Sequence, residues 1–501
     1  MHPLLRRTVY ASVTILSMQS ISAFPSPLSN QPSTSSLNWQ NCSIPDAPSL
    51  LCAQLEVPLD YDNPQRKTIT LGLTKLPALS STTRVGSLLF NPGGPGSPAS
   101  ASLAIAAQGV AVFTPGVRNR FDIIGLDPRG VGLSTPLDCD PAIANERVSL
   151  FPTDEASFQK LLAHNKAYGQ SCIERTGDLI YHIDAKSVAR DMEAIRVALG
   201  DGKLNFLGLS YGTILGSMYL ELYPNNIRTL ALDGNVDLAV PETYGLIAET
   251  STFENSFNRF AKYCSQNETC ALYQKDIPTL FDNLLVEADK KPIPAPGCDG
   301  IVCSKDVSSE ELLANLENAL IVKDPWSFVN SSWIRIGDAL ASAMNGDATL
   351  LSNRLASDKH RSNYPYLAIG CVDWPHKLKT LTELKYRTQL TSSVSPHTRG
   401  VTQSWLYQAA CLDWPAPVVT PPHLLQGIES APPILLTNSD HDPETSLVWA
   451  VGLLAQIPSG VLAVRKGDGH TSYFQGGTTA LAIEHYLLTG EVPLHNTVYD
   501  S

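Results

Sequence analysis

Gly208-Leu209-Ser210-Tyr211-Gly212 sets a serine between two glycines, just after the apolar run Leu204 to Leu207 and just before the helix-forming stretch Ile214 to Tyr223. A G-x-S-x-G sequence where a strand meets a helix requires so tight a turn that only small residues fit beside the serine, and the strained backbone lifts the hydroxyl clear of the strand. A hydroxyl so presented is a nucleophile for acyl transfer, provided a base and an orienting carboxylate can reach it. A plain glycine-rich turn is the alternative, and the flanking strand and helix patterns weigh against it.

For a serine on such a turn the acid and then the histidine follow along the chain. The apolar run Ile434 to Asn438 ends in Ser439-Asp440-His441-Asp442-Pro443, which makes Asp442 the expected acid, with Asp440 as the local alternative. Three histidines lie beyond it: His470 in a loop after the run Val461 to Arg465, His485 inside a helical pattern and His495 in the polar tail. His470 is the expected base, because a loop at the end of a sheet strand can reach the serine. A tetrahedral intermediate also needs aimed N–H donors. Asn91-Pro92-Gly93-Gly94-Pro95-Gly96 follows the run Ser87 to Phe90, and Gly94 and Tyr211 are the expected donors. The same loop lacks the Lys-Ser/Thr of a nucleotide-phosphate loop and the full G-x-G-x-x-G of a dinucleotide binder. No Cys pair has the spacing, followed by His, of a structural zinc site. No cofactor and no metal are expected.

These groups need a scaffold, and the chain alternates short apolar runs with helical patterns, as a mostly parallel sheet with crossover helices requires. Expected strands are Thr68 to Leu76, Gly86 to Phe90, Phe121 to Leu126, Leu204 to Leu209, Thr229 to Asp233, Pro433 to Asn438 and Gly460 to Arg465. Ala185 to Leu199 carries apolar residues at helical spacing, with Asp184 as N-cap and Gly200 as the stop. From Leu238 to Ile428 the alternation fails and helical patterns such as Ser309 to Ile321 and Trp333 to Met344 dominate, which reads as an inserted helical cap. The string Cys-x-Asp-Trp-Pro occurs there twice, at Cys371 and Cys411.

Residues 1–23 resemble an export signal, with Arg6 and Arg7 before an apolar stretch too short and too polar to span a bilayer, and Ser22-Ala23 as a cleavage site. Ten cysteines suit an exported, disulfide-bonded chain, and sequence proximity suggests the pairs Cys42–Cys52, Cys139–Cys172, Cys264–Cys270, Cys298–Cys303 and Cys371–Cys411. Asn41, Asn267 and Asn330 each begin a glycosylation triplet. The 36 basic against 48 acidic residues of this 501-residue chain leave no basic footprint for nucleic acid. A secreted, extracellular protein that is off the membrane once its signal is removed is the expectation.

Asn91 to Ser97, Asp127-Pro128-Arg129-Gly130-Val131-Gly132-Leu133-Ser134, Gly208 to Thr213, Leu232-Asp233-Gly234, Asp442-Pro443 and Gly469-His470 together resemble the secreted tripeptidyl and prolyl aminopeptidase group of α/β-hydrolases. Val57 to Tyr61 and Tyr486 to Pro493 extend the likeness over nearly the whole chain after residue 23. The resemblance implies an α/β-hydrolase core in two parts, 24–237 and 429–501, around a cap at 238–428. It implies Ser210 as nucleophile, His470 as general base, Asp442 as its orienter, and release of residues or tripeptides from free peptide N-termini. Acidic cap residues would hold the substrate ammonium, for which Glu242, Glu249 and Glu254 are available. Asp127 and Arg129 are expected to brace the loop beside the oxyanion hole, or else to form a surface ion pair. An esterase or lipase acting on a small acyl substrate with the same triad is the rival reading, and a non-catalytic binding protein is a third.

Overall fold

Runs of apolar residues bounded by Gly, Pro or Asp become the strands of one large sheet in the computed structural model, which describes residues 37–42, 44, 47–324, 332–357 and 363–500. The expected signal segment and Asn330 lie outside those residues. In chain order the strands are β1 (Gln40–Asn41), β2 (Leu51–Pro58), β3 (Thr68–Leu76), β4 (Gly86–Asn91), β5 (Phe121–Leu126), β6 (Leu204–Leu209) and β7 (Ile227–Asp233), then a separate two-stranded ribbon of β8 (Ile293–Pro294) and β9 (Asp306–Val307), then β10 (Ile434–His441), β11 (Gly460–Asp468) and β12 (Val498–Asp500). The sheet order is β1-β2-β3-β5-β4-β6-β7-β10-β11-β12. Pairing is parallel from β5 through β12 and antiparallel among β1, β2, β3 and β5. The seven expected strands are all present; β1, β2 and β12 were not expected from the sequence.

Every residue of β4 and of β6 is buried, as strands covered on both faces require. Successive side chains divide between two hydrophobic clusters. Leu89, Phe206 and Leu232 pack with the helix Ala185–Leu199, whereas Leu88, Phe90 and Leu207 pack with the helix Gly477–Thr489. Asp184 caps the first of these helices by accepting the Ser187 N–H at 2.9 Å, and Gly200 ends it with a φ of 74°.

Between β7 and β10 the sheet receives no strand from the described residues. The described residues there form seven helices, from Glu242–Gln266 to Gln403–Ala410, with the ribbon among them. Phe253, Phe257, Phe281, Leu316, Trp333 and Leu340 give this insertion a core of its own. All five expected disulfides are present, and no described cysteine is free. Cys371–Cys411 joins the helix Asn363–Asp373 to the end of the helix Gln403–Ala410.

Arg129 and Asp127 rule out the alternative of a surface ion pair: they neither pair with each other nor lie on the surface. Arg129 is wholly buried and its guanidinium makes a two-pronged bond to Asp191, at 2.7 Å on both oxygens. Its remaining N–H groups reach the carbonyls of Pro58, Leu59 and His182. Asp127 instead accepts from the N–H and hydroxyl of Ser100 and the N–H of Leu133, which ties the loop after β5 to the helix Ala99–Ala107. Removing one member of a buried, fully bonded pair leaves the other charge stranded. Arg129→Met is therefore expected to cost about 3–5 kcal/mol in denaturant unfolding. Lys67→Met, which breaks the exposed pair with Asp178, should leave the unfolding midpoint nearly unchanged, because solvent screens such a pair. Equal losses would contradict this account.

Candidate active site

The carboxyl ends of β4, β6, β7, β10 and β11 converge on one cleft of about 330 Å³, lined by Gly94, Ser210, Tyr366, Gln403, Glu444 and His470 among others. Ligands of parallel sheets bind at this edge. Ser210 stands directly after β6 with a φ of 54°, a left-handed conformation that a serine adopts only under constraint. Its N–H donates to the carbonyl of Asp233 at 2.8 Å, and its carbonyl accepts the N–H and hydroxyl of Thr213. A Cβ on Gly208 would meet the Gly212 carbonyl at 2.5 Å, so the tight turn does demand glycine there. On the facing loop Gly93, with a φ of 97°, leaves room for the Leu209 carbonyl, which a Cβ would meet at 2.5 Å.

His470 Nδ1 lies 2.8 and 2.9 Å from the two oxygens of Asp442. That carboxylate is itself completely bonded, taking the N–H groups of Glu444, Thr445 and Thr471 and the Thr445 hydroxyl. Asp440 points elsewhere, accepting the Gly467 N–H at 2.8 Å. His485 and His495 are exposed and away from the cleft. The peptide N–H groups of Gly94 and Tyr211 have no acceptor among the described residues, and Tyr211 immediately precedes the helix Gly212–Leu222, whose dipole favours negative charge at that end. The structure thus brings Gly94, Ser210 and His470 to one cleft, with Asp442 bonded to His470 and Tyr211 next to Ser210 in the chain.

Of the three acids named from sequence, only Glu249 belongs here. Glu242 pairs with Arg387 at 2.9 Å, and Glu254 accepts the N–H and hydroxyl of Thr398. Two acids were missed. Glu444 Oε2 lies 3.4 Å from His470 Nε2, and Glu317 lies close enough to Glu249 and Glu444 to feel both charges. Glu249 and Glu317 are 1 % and 5 % exposed. Glu249 accepts the Ser404 N–H at 2.8 Å, whereas Glu317 Oε1 has no partner among the described residues. Burial raises Glu249 to about 7, with the neighbouring Glu444 charge adding to the rise. Glu317 is raised by burial and by both neighbours, and Glu444 by burial and by Asp442 against the pull of His470. Position 444 lay in plain sight two residues beyond Asp442; Glu317 carried no signal, being an acid in an ordinary amphipathic helix.

The alpha/beta hydrolase fold model matches residues 86–476. Over 466 residues the chain is 31% identical to the serine protease Hip1 of Mycobacterium tuberculosis, covering 88% of this chain and 86% of that one. It is 26% identical to the tripeptidyl aminopeptidase of Streptomyces lividans, covering 91% and 84%. The chain belongs to the alpha/beta hydrolase family. It is a serine hydrolase of the tripeptidyl-aminopeptidase-like peptidase group. Carboxylesterase B of Mycobacterium tuberculosis is also a relative, 29% identical over 91% of this chain and 88% of that protein.

The imidazole of His470 is held between two carboxylates. Burial opposes its protonation, but the charge of Asp442 and then of Glu444 outweighs burial and raises it to about 9. The neutral ring, the form able to accept a proton, is therefore the minority species below that pH. In an NMR titration the His470 ring should protonate near 9, and in Glu444→Gln, where one raising charge is gone, at lower pH. An unchanged midpoint in that variant would show that Glu444 does not act on the ring.

Proposed function

We propose that this hydrolase is a secreted exopeptidase that releases residues from the free N-termini of peptides. Ser210 Oγ attacks the scissile carbonyl while His470 Nε2 takes its proton. Asp442 holds the ring through Nδ1, and the N–H groups of Gly94 and Tyr211 stabilise the oxyanion. His470 returns the proton to the leaving amine, then activates the water that hydrolyses the acyl-enzyme. The insertion at 238–428 acts as the cap that closes the cleft. Export of residues 24–501 after a signal at 1–23 fits the five disulfides, and no described helix is long and apolar enough to cross a membrane.

The observation that carries the exopeptidase reading is the group of three carboxylates that begins at Glu444, beside His470. Glu249, Glu317 and Glu444 crowd like charges into a space where water cannot screen them, an arrangement that is costly unless a cation joins it. Among them only Glu444 lines the cleft and is the first that a substrate meets, 17 % exposed against the deeper pair. His470 shares its positive charge between Asp442 and Glu444; a peptide ammonium supplies a further cation, and a neutral ester does not. The kinship with carboxylesterase B favours the second reading, an esterase with the same triad.

Acetylating a substrate's N-terminus should lower kcat/KM by about two orders of magnitude or more, each 1.4 kcal/mol of lost pairing being tenfold. Equal cleavage of blocked and free peptides, or far faster turnover of p-nitrophenyl esters, would move the protein to the esterase reading. Ser210→Ala should lower kcat by about 10⁴-fold or more. Retention of above roughly one per cent of activity would remove Ser210 as nucleophile.

A further inference from the structure

The insertion grips the catalytic floor at points that substrate recognition does not require. Asp373, at the end of the helix Asn363–Asp373, accepts the Tyr211 hydroxyl at 2.6 Å and the Ala185 N–H at 3.0 Å, and is 1 % exposed. Tyr211 is the residue after the nucleophile. Its peptide N–H has no acceptor among the described residues, while its side chain is held from the insertion. On the opposite arm, Gln403 at the start of the helix Gln403–Ala410 donates from Nε2 to the Gly94 carbonyl at 3.1 Å and to the Tyr366 hydroxyl at 2.7 Å. The disulfide Cys371–Cys411 staples these two helices together. Trp374 stacks on Tyr407 with ring centres 4.8 Å apart and packs against Tyr211 at 5.8 Å, filling the space between the two grips.

We infer that Asp373 and Gln403 are positioning residues that aim the two oxyanion-hole peptides, so that the insertion assembles the transition-state site as well as covering it. The inference rests on the assignment of Ser210 and of the two N–H donors, and is independent of whether the substrate is a peptide or an ester. A displacement of the Tyr211 Cα that re-aims its N–H also moves its side chain, and the side chain is pinned by a hydrogen bond to a buried carboxylate. Gly94 has a φ of 110° and no side chain of its own to hold it; its carbonyl is the handle by which Gln403 sets the plane of the neighbouring peptide. This accounts for the first copy of the repeated Cys-x-Asp-Trp-Pro string. In the second copy Asp413 is exposed, with a φ of 57°, and takes no part.

A fluorophosphonate probe tests this without any peptide recognition, because its phosphonyl oxygen enters the same hole. Loss of an oxyanion donor altogether costs about 10²–10³, so a donor left in place but misaimed should cost about 10- to 100-fold. Tyr211→Phe, which keeps the peptide N–H and removes only the hydroxyl, and Asp373→Ala should each slow the maximal labelling rate by that factor. The half-saturating probe concentration should stay within about twofold and labelling should still reach one probe per chain. Gln403→Ala should show the same signature. Because Tyr211 and Asp373 act as one unit, the double variant should label no more slowly than the slower single variant. A structural role alone would lower the labelled fraction and the melting temperature and leave the rate per competent site unchanged. That result, unchanged rates in both Tyr211→Phe and Gln403→Ala, or losses that multiply in the double variant would each overturn the inference. If the wild-type protein does not label, the nucleophile assignment fails and the inference with it. If it labels as expected but cleaves blocked and free peptides alike, only the exopeptidase reading falls.

Discussion

A single buried residue, Asp233 at the end of β7, fixes the nucleophile turn relative to the histidine loop. Its main-chain carbonyl takes the Ser210 N–H, and one carboxylate oxygen takes the N–H groups of both Ser472 and Tyr473 at 2.7 Å. The other accepts the Thr437 hydroxyl on β10 at 2.8 Å. Ser472 is thus tied to a group 239 positions away that also holds Ser210. Burial pushes this carboxyl upward, and the two N–H donors work against that rise, as does the Arg465 guanidinium. The left-handed backbone at Ser210, worth about 1–3 kcal/mol of strain, persists because Asp233 and Thr213 over-determine it from both sides.

Around that tie the electrostatics run against ordinary solvation. Asp442 is saturated with donors and holds its charge despite burial; Glu249, Glu317 and Glu444 are short of donors and compete for protons. His470 stands between the two environments, with Nδ1 toward the satisfied carboxylate and Nε2 toward the unsatisfied group. The histidine loop is also held from outside the sheet. The Ile321 carbonyl takes the His470 N–H at 2.9 Å, and Arg259 and Lys323 pair with Asp468. All three residues belong to the insertion. The sheet edge therefore supplies the reactive groups, and the insertion restrains the loops that carry them.

What could be read from sequence was whatever local sterics or spacing dictate. Gly208 is required by contacts within a few residues, with Phe206 and Gly212, so the turn was legible, whereas Gly212 faces the distant Asn91; the buried strands were legible because both faces are covered and their composition is uniformly apolar. Close cysteines found their partners for the same reason. Asp442 and Asp440 could not be separated by pattern alone, since two positions at the irregular end of a strand differ only in where the chain bends, and β10 shifts register between Ser439 and His441. Groups whose role comes from distant partners were hidden. Arg129 needs Asp191, 62 positions away; Glu317 becomes unusual only when Glu249 and Glu444 are folded against it; Asp373 looked like half of a short repeat. The strands β1 and β12 are two and three residues long, too short to leave a pattern.

The two strands that bracket the insertion are hydrogen-bonded neighbours, with Leu435 opposite Ala231 and Thr437 opposite Asp233. The chain therefore leaves the sheet and returns to it at one seam, about 4.8 Å wide. Closing a segment across such a seam depends only logarithmically on its length, about 0.6 kcal/mol for each doubling. In evolutionary terms the insertion is a module of free size, able to lengthen, shorten or be replaced without disturbing the sheet. That freedom is limited by the contacts that reach the catalytic loops, to Tyr211, Gly94 and the His470 loop. A replacement module that changed the substrate would have to rebuild those contacts before the old chemistry worked again.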